Sequence, residues 1–386
     1  VPADRDLHIG LNLTYLLADS GGAGTYARQL IPALLAAEPG LRLTAFTNAD
    51  APSWLTDSDW SGEIDVERFG VSAASGPPWR IGQVLLKQWL TLPRLARRRR
   101  LDVVHGLANI VPPVMPGVAS VVSVLDVIWK HFPRTLSRRS TIGMKVVTPI
   151  SARRADRVIA LTYAAAESIG SALAIPRAKF DVTPLAPTMS GPVSDESDVR
   201  RSLGLGTATV VLCVAQKREH KNLLGLIRAI ALIDDPSLVL VLPGSPTPHE
   251  AVIRDETSRL GLRERVLVPG WIPDADLRGL YALATCVVLP SFEEGFGLPV
   301  LEAMASGTPV ACSDIPVLRE VAGDAVVFFD PRDQQAMARA ITGVVRDPNV
   351  RGDLIARGQS RVGEFSWDKT AHATLESYRR ALSGRV

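Results

Sequence analysis

The chain has 386 residues, 46% hydrophobic and 22% charged, which are ordinary values for a folded protein and exclude a disordered or low-complexity chain. That length suggests two domains, each large enough to bury its own core. The net charge of +3 is unevenly spread: residues 1–190 carry 21 basic against 15 acidic side chains, the remainder 22 against 25, and Arg80 to Arg157 alone holds 15 against 3. The first half therefore presents a locally basic surface, although nothing in its pattern points to nucleic acid.

Short β-rich runs alternate with helical patterns along the chain, the mark of parallel α/β layers. LHIGLNL (7–13) reads as a strand, followed by the loop DSGGAG and a helix from about Thr25 to Ala37. LRLTAFT, DVVHG, ASVVSVL and DRVIAL read as further strands. The Pro- and Ser-rich stretch TPLAPTMSGPVSDES (183–197) is the best interdomain linker. A second series opens at ATVVLCVA (208–215), with a helix from Lys221 to Ile233, and continues through SLVLVLPG, RVLVPG, TCVVLP, TPVACS and AVVFF. WDKTAHATLESYRRAL (367–382) places Ala371, Leu375, Tyr378 and Leu382 on one face of a last amphipathic helix.

Several chemistries are not expected. No apolar run reaches the about 18 residues that span a bilayer, and the longest, Ala119 to Trp129, is interrupted by Asp126. VPADRDLHIG lacks the basic-then-apolar order of a secretion signal. Cys213, Cys286 and Cys312 sit in apolar strand-like runs without metal-ligand spacing, as buried thiols in a reducing cytoplasm would. The histidines form no paired cluster, and the acidic pairs Asp57/Asp59 and Asp274/Asp276 read as turn or helix-cap residues, so no metal is expected.

LPSFEEGFGLPVLEAMASGTPV (289–310) is the most informative segment. A strand ends at Pro290, an acidic Gly-rich loop follows, and Pro299 opens a helix at a first-turn position that suits proline. Glu294 lies on the loop and Glu302 in the helix, with seven residues between them. Gly295 and Gly297 let backbone approach a ligand, and the helix start attracts a diphosphate without a metal. Carboxylates accept from sugar hydroxyls. A capped helix carrying two surface glutamates fits the spacing equally well.

E-x7-E with G-F-G-L-P inside it, followed by EAMASGTPV, resembles family 4 of the retaining glycosyltransferases, which have the GT-B fold. GGAGTYARQL (21–30), DVVHG (102–106), ADRVIALT (155–162), HKNLLGLIRAI (220–230), RVLVPGWIPDADLRGLYALA (265–284) and FSWDKT (365–370) follow in family order, so the resemblance covers nearly the whole chain. It implies an α/β architecture of two Rossmann-like domains facing across a cleft. The acceptor-side domain would span 1–187, a linker 188–200, the nucleotide-sugar domain 201–365, and residues 366–386 would return as a helix to the first domain.

The resemblance also assigns roles. Glu302 binds the ribose diol and Glu294 the transferred sugar, while the amides of Phe296, Gly297 and Leu298 cradle the distal phosphate or the sugar. Lys221 and Arg218, with Lys217 as the alternative to Arg218, hold the diphosphate. Gly270, Trp271 and Ile272 edge the nucleobase. On the first domain Gly22 and Thr25 face the donor phosphates and the acceptor, and Asp126 positions sugar or acceptor. His105 ends a strand near the cleft and is either a core histidine or a ligand contact. One departure stands out: Leu125 occupies the place of a family histidine before Asp126.

The reaction so implied moves a hexose from a nucleoside diphosphate sugar to an acceptor hydroxyl with retention, the leaving phosphate helping to take the acceptor proton on the same face. GDP-mannose is the first-choice donor, by likeness to the FSW-terminated, mannosyltransferase-like subgroup, and a GDP- or dTDP-6-deoxyhexose the second. A nucleotide-sugar 2-epimerase or a non-catalytic sugar-nucleotide-binding subunit of the same fold is the alternative. The acceptor is a saccharide, a glycolipid or a lipid-linked glycan. PWRIGQVLLKQWLTLPRLARRRR (78–100) sets Ile81, Val84, Leu85, Gln88 and Leu92 on one stripe beside Arg97 to Arg100. Two readings stand open for this segment of a cytoplasmic protein: a helix packed on the first sheet that ends in a solvated basic run, or a basic face in peripheral contact with the anionic inner face of the plasma membrane.

Overall fold

The computed structural model describes residues 6–14, 21–49, 52–69, 79–133 and 138–385, with only the backbone of 79–87 and 138–143. The chain forms two compact units, 1–185 with 366–386 and 186–365.

In the first unit the described residues form a wholly parallel sheet of seven strands: β1 (His8–Asn12), β2 (Arg42–Thr47), β3 (Ile64–Arg68), β4 (Val103–Gly106), β5 (Ala119–Ser123), β6 (Arg157–Ala160) and β7 (Phe180–Val182), in the order β3-β2-β1-β4-β5-β6-β7. Parallel strands covered on both faces read as continuous apolar runs, and β1, β4 and β5 are buried along their whole length. β3 and β7 have no counterpart among the predicted strands. β3 is a half-exposed edge carrying Asp65, Glu67 and Arg68, and β7 is three residues long, so neither makes an apolar run.

The second unit repeats the winding with six strands: β8 (Thr209–Leu212), β9 (Leu238–Pro243), β10 (Val266–Gly270), β11 (Cys286–Leu289), β12 (Val310–Ser313) and β13 (Val327–Phe329), in the order β10-β9-β8-β11-β12-β13. Leu226, Ile230, Leu240, Val288 and Ile341 centre its core. Cys213, Cys286 and Cys312 are free and buried. Burial pushes the Cys213 and Cys286 thiols up to about 12.

Three boundaries differ from expectation. The first helix is Gly21–Ala37, starting at the glycines instead of after them. The helix expected from Lys221 is Leu223–Ala231, because Asn222 at φ +52° breaks it from the single turn Glu219–Lys221. The stretch 188–200 belongs to the second unit: Ser194 N–H donates to the Ala275 carbonyl, Arg278 to that of Pro192, and the helix Glu196–Leu203 starts within it.

The last helix, Trp367–Ser383, packs on the first unit, against Gly21–Ala37 and the sheet. Its buried face is Thr370, Ala371, Thr374, Leu375, Ser377, Tyr378 and Ala381. Ser377 and Arg380 both donate to Asp181, which Arg157 also grips, and these hydrogen bonds hold that carboxyl below its usual range despite burial.

Candidate donor-binding site

The turn Glu219–Lys221 after β8 and the loop after β11 are fastened together at the strands' C-terminal end. Asn222 Nδ2 donates to the carbonyls of Pro290 and Pro331 (3.0 and 2.8 Å), and Phe292 N–H to that of His220 (2.8 Å). Lys221 Nζ then lies 2.6 Å from Glu294 Oε1, which also accepts from Ser291 Oγ at 2.6 Å. The Lys221 and Glu294 side chains are 17% and 7% exposed, so the pair is weakly screened by solvent. His220 beside it is buried, and burial, then the charges of Lys221 and Arg218, pull its pKa down to about 3.

Gly297 caps the helix Leu298–Ala305 at φ +97°, and a Cβ there would come within 2.5 Å of Leu318 Cδ2. Glycine is therefore required twice, by conformation and by space. Pro299 has no N–H and the Val300 N–H donates to the Gly297 carbonyl, which leaves the Leu298 amide at the helix opening. Phe296 is buried against Phe365, ring centroids 6.2 Å apart, so its side chain is taken up by packing.

Glu302, one turn into the helix, is half-buried. Its Oε1 accepts from Thr188 Oγ1 at 2.9 Å and its Oε2 from Tyr281 OH at 2.8 Å. Burial raises its pKa, the two hydroxyls pull it back, and the charge of Asp274 raises it further. Near the end of β10, Gly270 has φ +82°, Ile272 is half-buried and Trp271 is 66% exposed, an aromatic face open at the loop.

Two basic candidates separate. Arg218 stands half-buried just before the turn, whereas Lys217 is fully buried, with Nζ 2.6 Å from the Gly244 carbonyl and 3.5 Å from Glu250. Burial lowers the Lys217 pKa although Glu250 partly opposes it. Lys217 therefore ties the loops after β8 and β9 together, with its ammonium turned into the protein.

In the first unit Asp126 follows β5 and its Oδ1 accepts the Ile128 N–H at 3.0 Å, starting the short helix Ile128–His131. Gly22 and Thr25 sit at the start of Gly21–Ala37, and a Cβ on Gly22 would meet no atom of the described residues within 4 Å beyond its chain neighbours and its own helix backbone. Leu125 is half-buried, its N–H donating to Asn109 Oδ1. His105 resolves as a core residue: fully buried, it is 2.8 Å from both Tyr378 OH and Ser123 Oγ, and burial lowers its pKa to about 3. Asp57 ends a short helix, Asp274 opens one, and Asp276 accepts from Ser194 Oγ. Among the described residues no three His, Cys, Asp or Glu side chains gather as a metal site would need.

Thr188, Tyr281, Ser291 and Asn222 are the site residues that sequence reasoning missed. Tyr281 lies in the quoted block RVLVPGWIPDADLRGLYALA and Asn222 beside Lys221, but Thr188 sits in a segment read as a linker and gives no local signal.

Two doubly wound parallel sheets, the second carrying a glycine-capped helix flanked by a lysine–glutamate pair and a second carboxylate, define a protein of the GT-B class. Sucrose-phosphate synthase from Thermosynechococcus elongatus has this fold, with a TM-score of 0.78, 21% identity, and coverage of 98% of this chain and 100% of that one. The chain belongs to the glycosyltransferases of family 4: residues 20–186 match the family description "Glycosyltransferase Family 4" and residues 195–361 match "Glycosyl transferases group 1". It is 37% identical over 172 residues to O-antigen chain mannosyltransferase B of Escherichia coli (44% of this chain, 45% of that protein). To O-antigen chain mannosyltransferase RfbU of Salmonella typhimurium it is 25% identical over 247 residues (64% and 65%). The matches thus span about half to two thirds of these relatives.

Proposed function

We propose that the protein is a retaining, metal-independent glycosyltransferase that moves mannose from GDP-mannose to a saccharide hydroxyl. The observation that carries the reading is the arrangement about the helix Leu298–Ala305: Lys221 and the Leu298 amide for a diphosphate, Glu302 for a ribose diol, and Glu294 between lysine and loop for the sugar. Charge develops on the departing nucleoside diphosphate, and a cation with a helix opening stabilises it without a metal. Arg218 is the second cation, and Ile272 with Trp271 lies against the base. Glu294 orients the sugar and the leaving phosphate receives the acceptor proton on the face it vacates. Asp126 and Gly22, on the first unit, serve the sugar and the acceptor. Mannose is favoured by the names of the two relatives.

Incubating the protein with GDP-mannose, GDP-fucose, UDP-glucose and dTDP-rhamnose, with and without oligosaccharide acceptors, tests it. Acceptor-dependent GDP release from GDP-mannose, an α-linked product by NMR and full activity in excess EDTA are expected. Activity lost on chelation and restored by Mg²⁺ or Mn²⁺ overturns the metal-free reading. Donor turnover to a 2-epimer, or binding without turnover, replaces the transferase.

The acceptor is proposed to be a saccharide carried at an anionic membrane, in the cytoplasm, which the first unit reaches reversibly. Arg97, Arg98 and Arg100 are exposed at the end of the helix Trp79–Arg98, whose Gln88 and Leu92 are buried, while Arg99 is taken by Asp65 and Glu67. No described helix is long and apolar enough to cross a membrane. Salt-sensitive co-sedimentation with anionic vesicles, reduced by replacing Arg97, Arg98 and Arg100 with Gln, is the expected result. Equal binding to neutral vesicles removes it.

A further inference from the structure

The half-buried Glu302 has no cation in hydrogen-bond or salt-bridge reach among the described residues. Its fixed partners are two neutral hydroxyls, one on each carboxylate oxygen. Each oxygen has two acceptor directions, so one per oxygen stays available for a neighbouring pair of hydroxyls. We propose that Tyr281 and Thr188 are positioning residues which set the plane of the Glu302 carboxylate so that both remaining acceptor directions meet the donor ribose diol; this rests on the nucleotide-sugar reading above.

Three features support the assignment. Rotating the carboxylate would break both hydrogen bonds at once, so the pair fixes its plane where one bond would not. Tyr281 is itself immobilised: its side chain is fully buried, and Thr308 Oγ1 donates to its carbonyl at 2.6 Å near the end of the helix Asp274–Leu283. Burial, and then the charge of Glu302, hold the Tyr281 phenol well above its usual range, so it remains a donor across the working pH range. Thr188 comes from a segment 114 residues away in sequence, just inside the second unit. The two hydroxyls also counter the burial and the Asp274 charge that favour a protonated Glu302. Losing either bond therefore both frees the carboxylate and raises its pKa.

The test uses the whole chain and calorimetric binding of whichever of GDP and UDP binds tighter, set against its 2′,3′-dideoxy counterpart. The wild type is expected to prefer the ribonucleotide at least about tenfold, as a site built for hydroxyl groups does. Tyr281→Phe and Thr188→Val should each weaken ribonucleotide binding about five- to tenfold, leave dideoxynucleotide binding unchanged, and move the acidic loss of ribonucleotide affinity to higher pH. Thr188→Ser should restore wild-type behaviour. In turnover, donor KM should rise with kcat nearly constant. Wild-type discrimination retained in both variants overturns the positioning role, as does an equal loss of both ligands, which marks a role in folding alone. A wild type that does not distinguish the two nucleotides overturns the ribose reading itself.

Discussion

The two sheets share a winding order, yet they use the polar side chains at their strand ends in opposite ways. In the first unit His105 on β4 and Ser123 on β5 meet Tyr26 and Tyr378 in a wholly buried cluster of neutral groups. Burial holds His105 near 3 and Tyr26 near 12, so both stay uncharged at neutral pH. In the second unit Lys221, Glu294 and Glu302 occupy the corresponding end as charged groups with partial exposure. Neutral polar groups can be buried once paired, whereas an ion loses several kcal/mol of hydration unless a partner replaces it. The first unit therefore uses its strand-end polarity to attach the last helix, and the second keeps its own partly exposed, where the proposed function places the nucleotide sugar.

Acid should break the comparison most severely. His105 and His220 both have folded-state pKa values near 3 because they are buried. The unfolded chain takes up protons near 6.5 and the folded one does not, so their contribution is complete above pH 6.5 and is lost as pH falls towards 3. At pH 5 the loss is about 2 kcal/mol for each histidine. Denaturant unfolding between pH 7.5 and 5 measures it. Tyr378→Phe, which leaves His105 one partner short, should cost about 1–3 kcal/mol of stability while donor affinity stays constant.

Lys221→Met attacks the charged side of the contrast. It leaves Glu294, 7% exposed, with the Ser291 hydroxyl donating to it and removes the cation proposed for the phosphate, so kcat/KM should fall about 100-fold or more. Adding Glu294→Gln should recover thermal stability without recovering activity, in melting curves and steady-state rates on the same samples. If the double variant regains activity, the pair is structural.

Glu302→Gln gives the smallest change and the sharpest discrimination. Donor KM should rise about tenfold through loss of charge-assisted hydrogen bonds. Stability should not fall at neutral pH: the folded-state pKa of Glu302 is raised, so ionisation opposes folding as pH climbs above about 4.5, and the amide removes that cost. A lower Tm with unchanged KM would place Glu302 with His105 as a structural group.

What the sequence determined by itself was local: apolar runs short enough to be buried strands, the glycine–proline opening of the helix Leu298–Ala305, and seven residues separating Glu294 from Glu302. Lys221 belongs with these, fixed by its place after β8. Each depends on neighbours within a turn or two, which is the range over which periodicity and backbone preference act. The edge strands β3 and β7 escaped because an edge needs no apolar run. Only the tertiary structure buries Lys217 while leaving Arg218 half-buried, since burial against Gly244 and Glu250 depends on a different strand–loop unit. It also turned His105 inward, by a Tyr378 hydroxyl 273 residues away, and brought Thr188 to Glu302 across 114. Such partners are chosen by packing, because a buried hydrogen bond depends on which surfaces meet in space and leaves no periodic trace in the chain.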